Sequence, residues 1–135
     1  MDALGKIAAL LYGAGEVMAG IEMSWEQARE RVLARDRSLW MRYCIVRDWI
    51  WIDLILDEDQ VALFHAAGQQ PVLLYAHNVL FDSERRFDVG DWVRTTPLVS
   101  FSEGCFFQTK NTLYVLVGDG QRKRAPLETV GRIRF

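Results

Sequence analysis

The stretch from residue 49 to residue 56 is the strongest constraint that the sequence places on the fold. It reads as a β-strand, in which successive side chains point to opposite faces of a sheet. The two faces would carry Ile50, Ile52, Leu54 and Leu56 on one side and Trp49, Trp51, Asp53 and Ile55 on the other. Because both faces are largely apolar, one must pack on the core, and the other must be covered by a helix, the N-terminal segment or a partner.

Three helices are predicted in the first half of the chain. They span about residues 2–12, 25–36 and 58–67. Ser24 and Gln27 have the spacing of a capping box ahead of the second helix, and Asp57 is placed to cap the third. Residues 39–47 and 72–81 are rich in β-branched and aromatic side chains, which predicts two further strands.

At 135 residues, half of them apolar, the chain is long enough to bury a core without metal or disulfide support. We expect one domain of the α+β class, with two or three short helices packed on a strongly bent antiparallel sheet. Residues 1–22 would form a mobile helical arm, because glycines follow its helix. Residues 23–86 would supply a helix–strand–strand–helix–strand part, and residues 87–135 a β-rich, barrel-like part.

The last part, residues 87–135, reads as a compact series of strands and turns. Gly90-Asp91-Trp92-Val93 opens it, residues 118–121 have the composition of a tight turn, and residues 126–130 suit a single 3₁₀ turn before a last strand. This order of elements resembles a small SH3-like barrel. The resemblance implies a binding surface without specifying its ligand.

Three short segments resemble an uncharacterised family of short bacterial and prophage-like proteins. They are DWVRT at residues 91–95, SFSEG at residues 100–104 and NTLYVL at residues 111–116. The resemblance implies a bacterial origin and assigns no functional residue.

The sequence favours a soluble, cytoplasmic protein with no membrane partner. The apolar run at residues 7–11 lacks the length and charge pattern of a signal peptide. Residues 49–56 cover less than half of a membrane span and include Asp53. Cys44 and Cys105 each lie in an apolar, strand-like run, which suits buried thiols in a reducing compartment.

The chain offers few residues for catalysis or metal binding. His65 and His77 lack the HExxH spacing, and Cys44 and Cys105 do not join them in the closely spaced pairs typical of zinc sites. A nucleophilic pair of His77 with either cysteine has no local signature, and the apolar neighbours of both thiols favour a role in the core. We therefore expect no catalytic residue, no metal and no cofactor, and a small enzyme of unknown class is the third hypothesis for function.

Trp49, Trp51 and Asp53 form the first candidate binding surface, on one face of the predicted strand. Large amphipathic rings are typical anchors of protein interfaces. The first hypothesis is accordingly a non-catalytic protein-interaction module, such as an accessory factor or inhibitor from a mobile element. Its partner would be another protein or a second copy of the chain.

Cations near the C-terminal end form the second candidate surface. They are Arg94, Arg122, Lys123, Arg124, Arg132 and Arg134. Such a cluster predicts binding of an anion, and binding of nucleic acid is the alternative hypothesis. The 18 acidic and 16 basic residues give a net charge of −2, whereas a dedicated duplex binder is expected to be clearly basic, so protein binding is placed first.

Overall fold

The computed structural model describes residues 2–35 and 41–133. Within them the α+β class is confirmed, with four helices around a mixed, strongly curled half-barrel sheet. The elements in chain order are α1 (Ala3–Tyr12), β1 (Glu16–Met18), α2 (Trp25–Leu33), β2 (Arg42–Ile55), α3 (Glu58–Ala66), β3 (Val72–Asp82), β4 (Val93–Arg94), β5 (Ser100–Ser102), β6 (Phe106–Gln108), β7 (Thr112–Val117), β8 (Gly120–Pro126) and α4 (Leu127–Gly131).

The three predicted helices are present as α1, α2 and α3. The Ser24 hydroxyl accepts a hydrogen bond from the Gln27 amide at 3.1 Å, and the Gln27 side chain accepts one from the Ser24 amide at 2.9 Å. Asp57 and Gln60 form the same reciprocal cap on α3. The fourth helix, α4, replaces the 3₁₀ turn predicted at residues 126–130, and the last predicted residue of the second helix, Asp36, lies outside the described residues.

Strand β2 is the centre of the sheet and joins two predicted strands into one. It continues through Asp48, whose backbone φ of 55° marks an irregularity between the two predicted strands. Along one edge it pairs antiparallel with β3, and along the other it pairs parallel with β7 over residues 42–47 and with β8 over residues 50–55. The predicted first strand began at residue 39, and residues 39 and 40 are not among those described.

Strands β7 and β8 run end to end along β2, so the tight turn predicted at residues 118–121 is wrong. Gly118, with a φ of 70°, and Asp119 interrupt the line without reversing it. The sheet is consequently mixed, and the prediction of a purely antiparallel sheet is corrected. The physical reason is burial: all six residues of β7 are buried, which requires a place inside the sheet and not in a solvated hairpin.

The remaining strands lie outside this central pair. Strand β6 pairs with β7, β5 pairs with β6, β1 pairs with β8, and β4 pairs with β3. Strands from residues 87–133 are therefore built into one sheet with β1, β2 and β3. The SH3-like barrel is not confirmed as a unit of its own.

Both faces of β2 are covered, as its sequence predicted. On one face Trp49 and Trp51 pack with Leu74 and Phe107 in the hollow of the curled sheet. On the other face Ile50, Ile52 and Leu54 pack beneath α1 and α4, together with Leu10 and Val130. A separate cluster under α2 buries Ala28, Ile45 and Val115. None of the helices in residues 2–35 and 41–133 is long and apolar enough to cross a membrane.

Gly120 should be intolerant of a side chain, because a Cβ there would overlap the indole of Trp49. We expect Gly120→Ala to lower the free energy of unfolding by about 1–3 kcal/mol through overpacking. Gly131→Ala is the matched control, since a Cβ at that position would have no atom within 4 Å. Urea unfolding of both variants measures the difference, and equal losses of stability would contradict the assigned contact.

Candidate functional site

The predicted tryptophan surface is not exposed. Trp49 and Trp51 retain only 1% and 7% of their accessible surface. The Trp49 indole nitrogen donates to the Gly118 carbonyl at 3.1 Å, and the Trp51 ring makes edge contacts with Phe101 and Phe107 at centroid distances of 5.1 and 5.4 Å. These rings fill the hollow of the curled sheet, so they present no exposed face to a partner.

Asp53 joins the two predicted surfaces into one hydrogen-bonded cluster. Its carboxylate accepts hydrogen bonds from Arg122 Nε at 2.6 Å and Nη2 at 3.0 Å, and from the Trp51 indole nitrogen at 3.3 Å. The Arg122 guanidinium also lies over the Trp51 ring, 5.7 Å from its centroid. The bond to Asp53 raises the pKa of Arg122. Asp53 was predicted to bind a protein and Arg122 to bind an anion, but the two side chains form an ion pair with each other.

The predicted basic residues do not all lie in one cluster. Side chains alternate along β8, so Arg122 and Arg124 lie on one face and Lys123 on the other. Arg94 Nη1 donates to the Val130 carbonyl at 3.2 Å at the end of α4. Arg132 is exposed, and Arg134 lies outside the described residues.

Lys123 attaches α1 to the sheet. Its ammonium donates to the carbonyl oxygens of Leu10 at 2.6 Å and Gly13 at 2.7 Å. These carbonyls lie at the C-terminal end of α1, where a helix leaves acceptors unpaired and favours positive charge. Burial lowers the pKa of the Lys123 ammonium.

A groove of about 450 Å³ lies between α1, β8 and α4. Its charged lining is entirely basic within the described chain and consists of Lys6, Arg122, Lys123 and Arg124. A smaller cavity of about 270 Å³ shares Lys6 and Thr129 with it and adds Arg132 and one acid, Glu128. We call the larger cavity the basic groove.

The basic groove borders an open sheet edge. Strand β1 pairs with β8 at residues 120–122, and no described strand pairs with that edge at residues 123–126. The sequence does not reveal this edge, because residues 118–121 have the composition of a tight turn and the pairing of β8 depends on distant strands.

The candidate catalytic residues are not brought together. Cys44 packs in the hollow of the sheet and Cys105 beneath α2, whereas His77 lies on the face that carries α1. His65 is exposed on α3. No group of three or more possible metal ligands occurs in the part of the chain that the structure describes.

The buried Cys44 thiol should make stability fall at alkaline pH. Burial raises its pKa from 9.0 to about 12. Because the folded pKa exceeds the unfolded one, this stabilisation is complete below pH 9 and is lost as pH rises towards 12. The free energy of unfolding should decrease between neutral pH and pH ~10 in both proteins. The decrease should be smaller in Cys44→Ala, by about 1.4 kcal/mol, because that variant lacks the thiol. Urea unfolding at several pH values measures this difference. An equal decrease in the free energy of unfolding of both proteins would show that the Cys44 thiol is not its cause.

Removal of the Lys123 ammonium should loosen α1. Lys123→Met keeps the apolar stem but leaves the Leu10 and Gly13 carbonyls without this donor, so we expect a loss of about 1–2 kcal/mol. Faster amide hydrogen exchange in residues 3–12, followed by NMR, would show that the loss is local. Lys110→Met, at an exposed lysine between β6 and β7, is the control. Unchanged exchange in α1 would contradict the attachment.

A family model matches most of the chain. The family model described as a domain of unknown function, DUF6957, matches residues 19–132. No curated protein and no solved structure matches the chain. The matched range contains α2 and every later element, whereas α1 and β1 precede it. The chain belongs to the DUF6957 family.

Proposed function

We propose that this domain is a non-catalytic protein-interaction module that takes an extended, acidic segment of a partner protein onto the open edge of β8. The observation that carries the proposal is the unpaired edge at residues 123–126 beside a groove with a basic lining. The buried tryptophans have no part in it.

Backbone geometry supports an extended ligand. An open strand edge presents unpaired N–H and C=O groups, which an added strand satisfies. Strand β1 already makes this kind of addition, pairing antiparallel with residues 120–122 of β8. A partner segment would extend the same edge where β1 ends.

Charge supports an acidic ligand. Lys6 and Arg124 line the groove, and neither forms an ion pair with a described residue. Carboxylates of a bound segment would complement them, and such complementarity contributes mainly to specificity and association rate. Arg122 contributes less because Asp53 already holds it.

The basic lining of the groove also supports the alternative function, nucleic-acid binding. Two observations favour a protein ligand over nucleic acid. Binding of single-stranded nucleic acid relies on aromatic rings that stack on bases, and none lines the described part of the groove. The net charge of −2 also opposes a polyanion at long range.

The proposed setting is the reducing cytoplasm of a bacterium, with the module acting as an accessory factor or inhibitor encoded by a mobile element. Support for the compartment comes from Cys44 and Cys105, which are free and buried. Support for the bacterial origin rests on the sequence resemblance alone.

The test uses two synthetic peptides, one alternating Glu with Val and one alternating Lys with Val. We expect the acidic peptide to bind and to slow amide hydrogen exchange within residues 123–125, because an added strand protects outward-facing edge amides and Pro126 has no amide hydrogen. Arg124→Glu should weaken binding by about tenfold, since it replaces a favourable charge contact with an unfavourable one.

Arg42→Glu is the matched control, because Arg42 is exposed at the far end of β2 and forms no ion pair with a described residue. It should leave the affinity for the acidic peptide unchanged. Equal binding of both peptides, or binding without protection of the edge, would reject the proposal. Salt-sensitive binding of an oligothymidylate with no binding of the acidic peptide would assign the groove to nucleic acid.

A further inference from the structure

A second cleft, of about 530 Å³, lies at the C-terminal end of α1, where α1 and β1 meet β2, β3 and the start of β8. The side chains that give it chemical character are Tyr12, Asp48, His77, Asp119 and Gln121. Its volume falls within the range of sites for small molecules.

The charge of this cleft is opposite to that of the basic groove. Asp48 and Asp119 line it, and no lysine or arginine is among its described lining residues. The C-terminal end of α1 adds the negative end of a helix dipole. The nearby Lys123 ammonium is held by the Leu10 and Gly13 carbonyls and lines the basic groove instead.

Neither aspartate is neutralised by an ion pair with a described residue. The Asp48 carboxylate accepts a hydrogen bond from the side-chain nitrogen Nδ2 of Asn78 at 2.5 Å, and Asp119 Oδ1 accepts one from the backbone amide of Gly20 at 2.9 Å. An ionised carboxylate has about four acceptor positions, so each retains capacity for a further donor.

An aromatic wall completes the cleft. Tyr12 is 76% exposed, and its ring stacks on His77 with a centroid distance of 5.4 Å. His77 is itself fixed by Tyr75, edge-on at 4.9 Å, and by the contact of its Nε2 with the Leu11 carbonyl at 3.1 Å. An exposed ring face beside carboxylates is the arrangement that attracts organic cations.

We infer that this cleft binds a small organic cation through its ammonium or guanidinium group. Asp48 and Asp119 accept hydrogen bonds from the cation, and the Tyr12 ring covers its aliphatic part. A bare metal ion fits the site less well, since the described residues contain no group of three ligands. The site is separate from the open edge of β8, so it does not depend on the proposed function.

Agmatine, which carries both a guanidinium and an ammonium group, is the probe. In NMR titrations of the full chain, we expect millimolar agmatine to shift the resonances of Tyr12, His77 and Gly120. Asp48→Asn should weaken binding about fivefold, and Asp119→Asn similarly, because each removes one charge but keeps an acceptor oxygen. Asparagine also accepts the positive φ of 55° at position 48, so the backbone should be retained.

Asp59→Asn in the exposed first turn of α3 is the matched control and should leave agmatine binding unchanged. Arg124→Glu should also leave it unchanged, which separates this site from the peptide edge. The cation could also be an arginine side chain of a partner protein, and a capped tripeptide containing arginine tests this source. If the tripeptide binds more tightly than agmatine and its binding depends on Asp48, the cation is assigned to a partner's side chain. Absence of shifts in the cleft, or equal binding by Asp48→Asn and Asp59→Asn, would overturn the inference.

Discussion

The structure depends on the burial of β2 on both faces and along both edges. A strand with tryptophans on one face and isoleucines on the other is stable in water only when two layers enclose it. The hollow of the sheet accepts the tryptophans, while α1 and α4 cover the isoleucines. Strand β3 pairs with one edge of β2, and β7 and β8 pair with the other. In the middle of β2, only Asp48 and its neighbours contact solvent.

Local signals in the sequence predicted the helices and the double cover of β2. The caps at Ser24 and Asp57 depend on residues three positions apart, so they can be recognised without the fold. The local sequence does not show whether the chain reverses or continues at residues 118–121, because glycines are common both in hairpin turns and in interruptions of a strand. Long-range pairing with β2 decides between these two uses.

The candidate sites were harder to predict than the fold. Trp49 and Trp51 were placed correctly on one face, but their exposure depends on the curl of the sheet, which no local pattern specifies. Arg122 was counted as an available cation, whereas its partner Asp53 lies 69 residues earlier in the chain. Both clefts contain side chains of α1, and their existence follows from where that helix docks.

The contact between Lys123 and α1 has a consequence for how the N-terminal segment can vary. Its acceptors are main-chain oxygens, which every amino acid supplies. Docking therefore requires a helix that ends at the right place more than it requires particular side chains on the exposed surface of that helix. Exposed positions such as Lys6 and Tyr12, which line the two clefts, are free to change the character of those clefts while the attachment is retained.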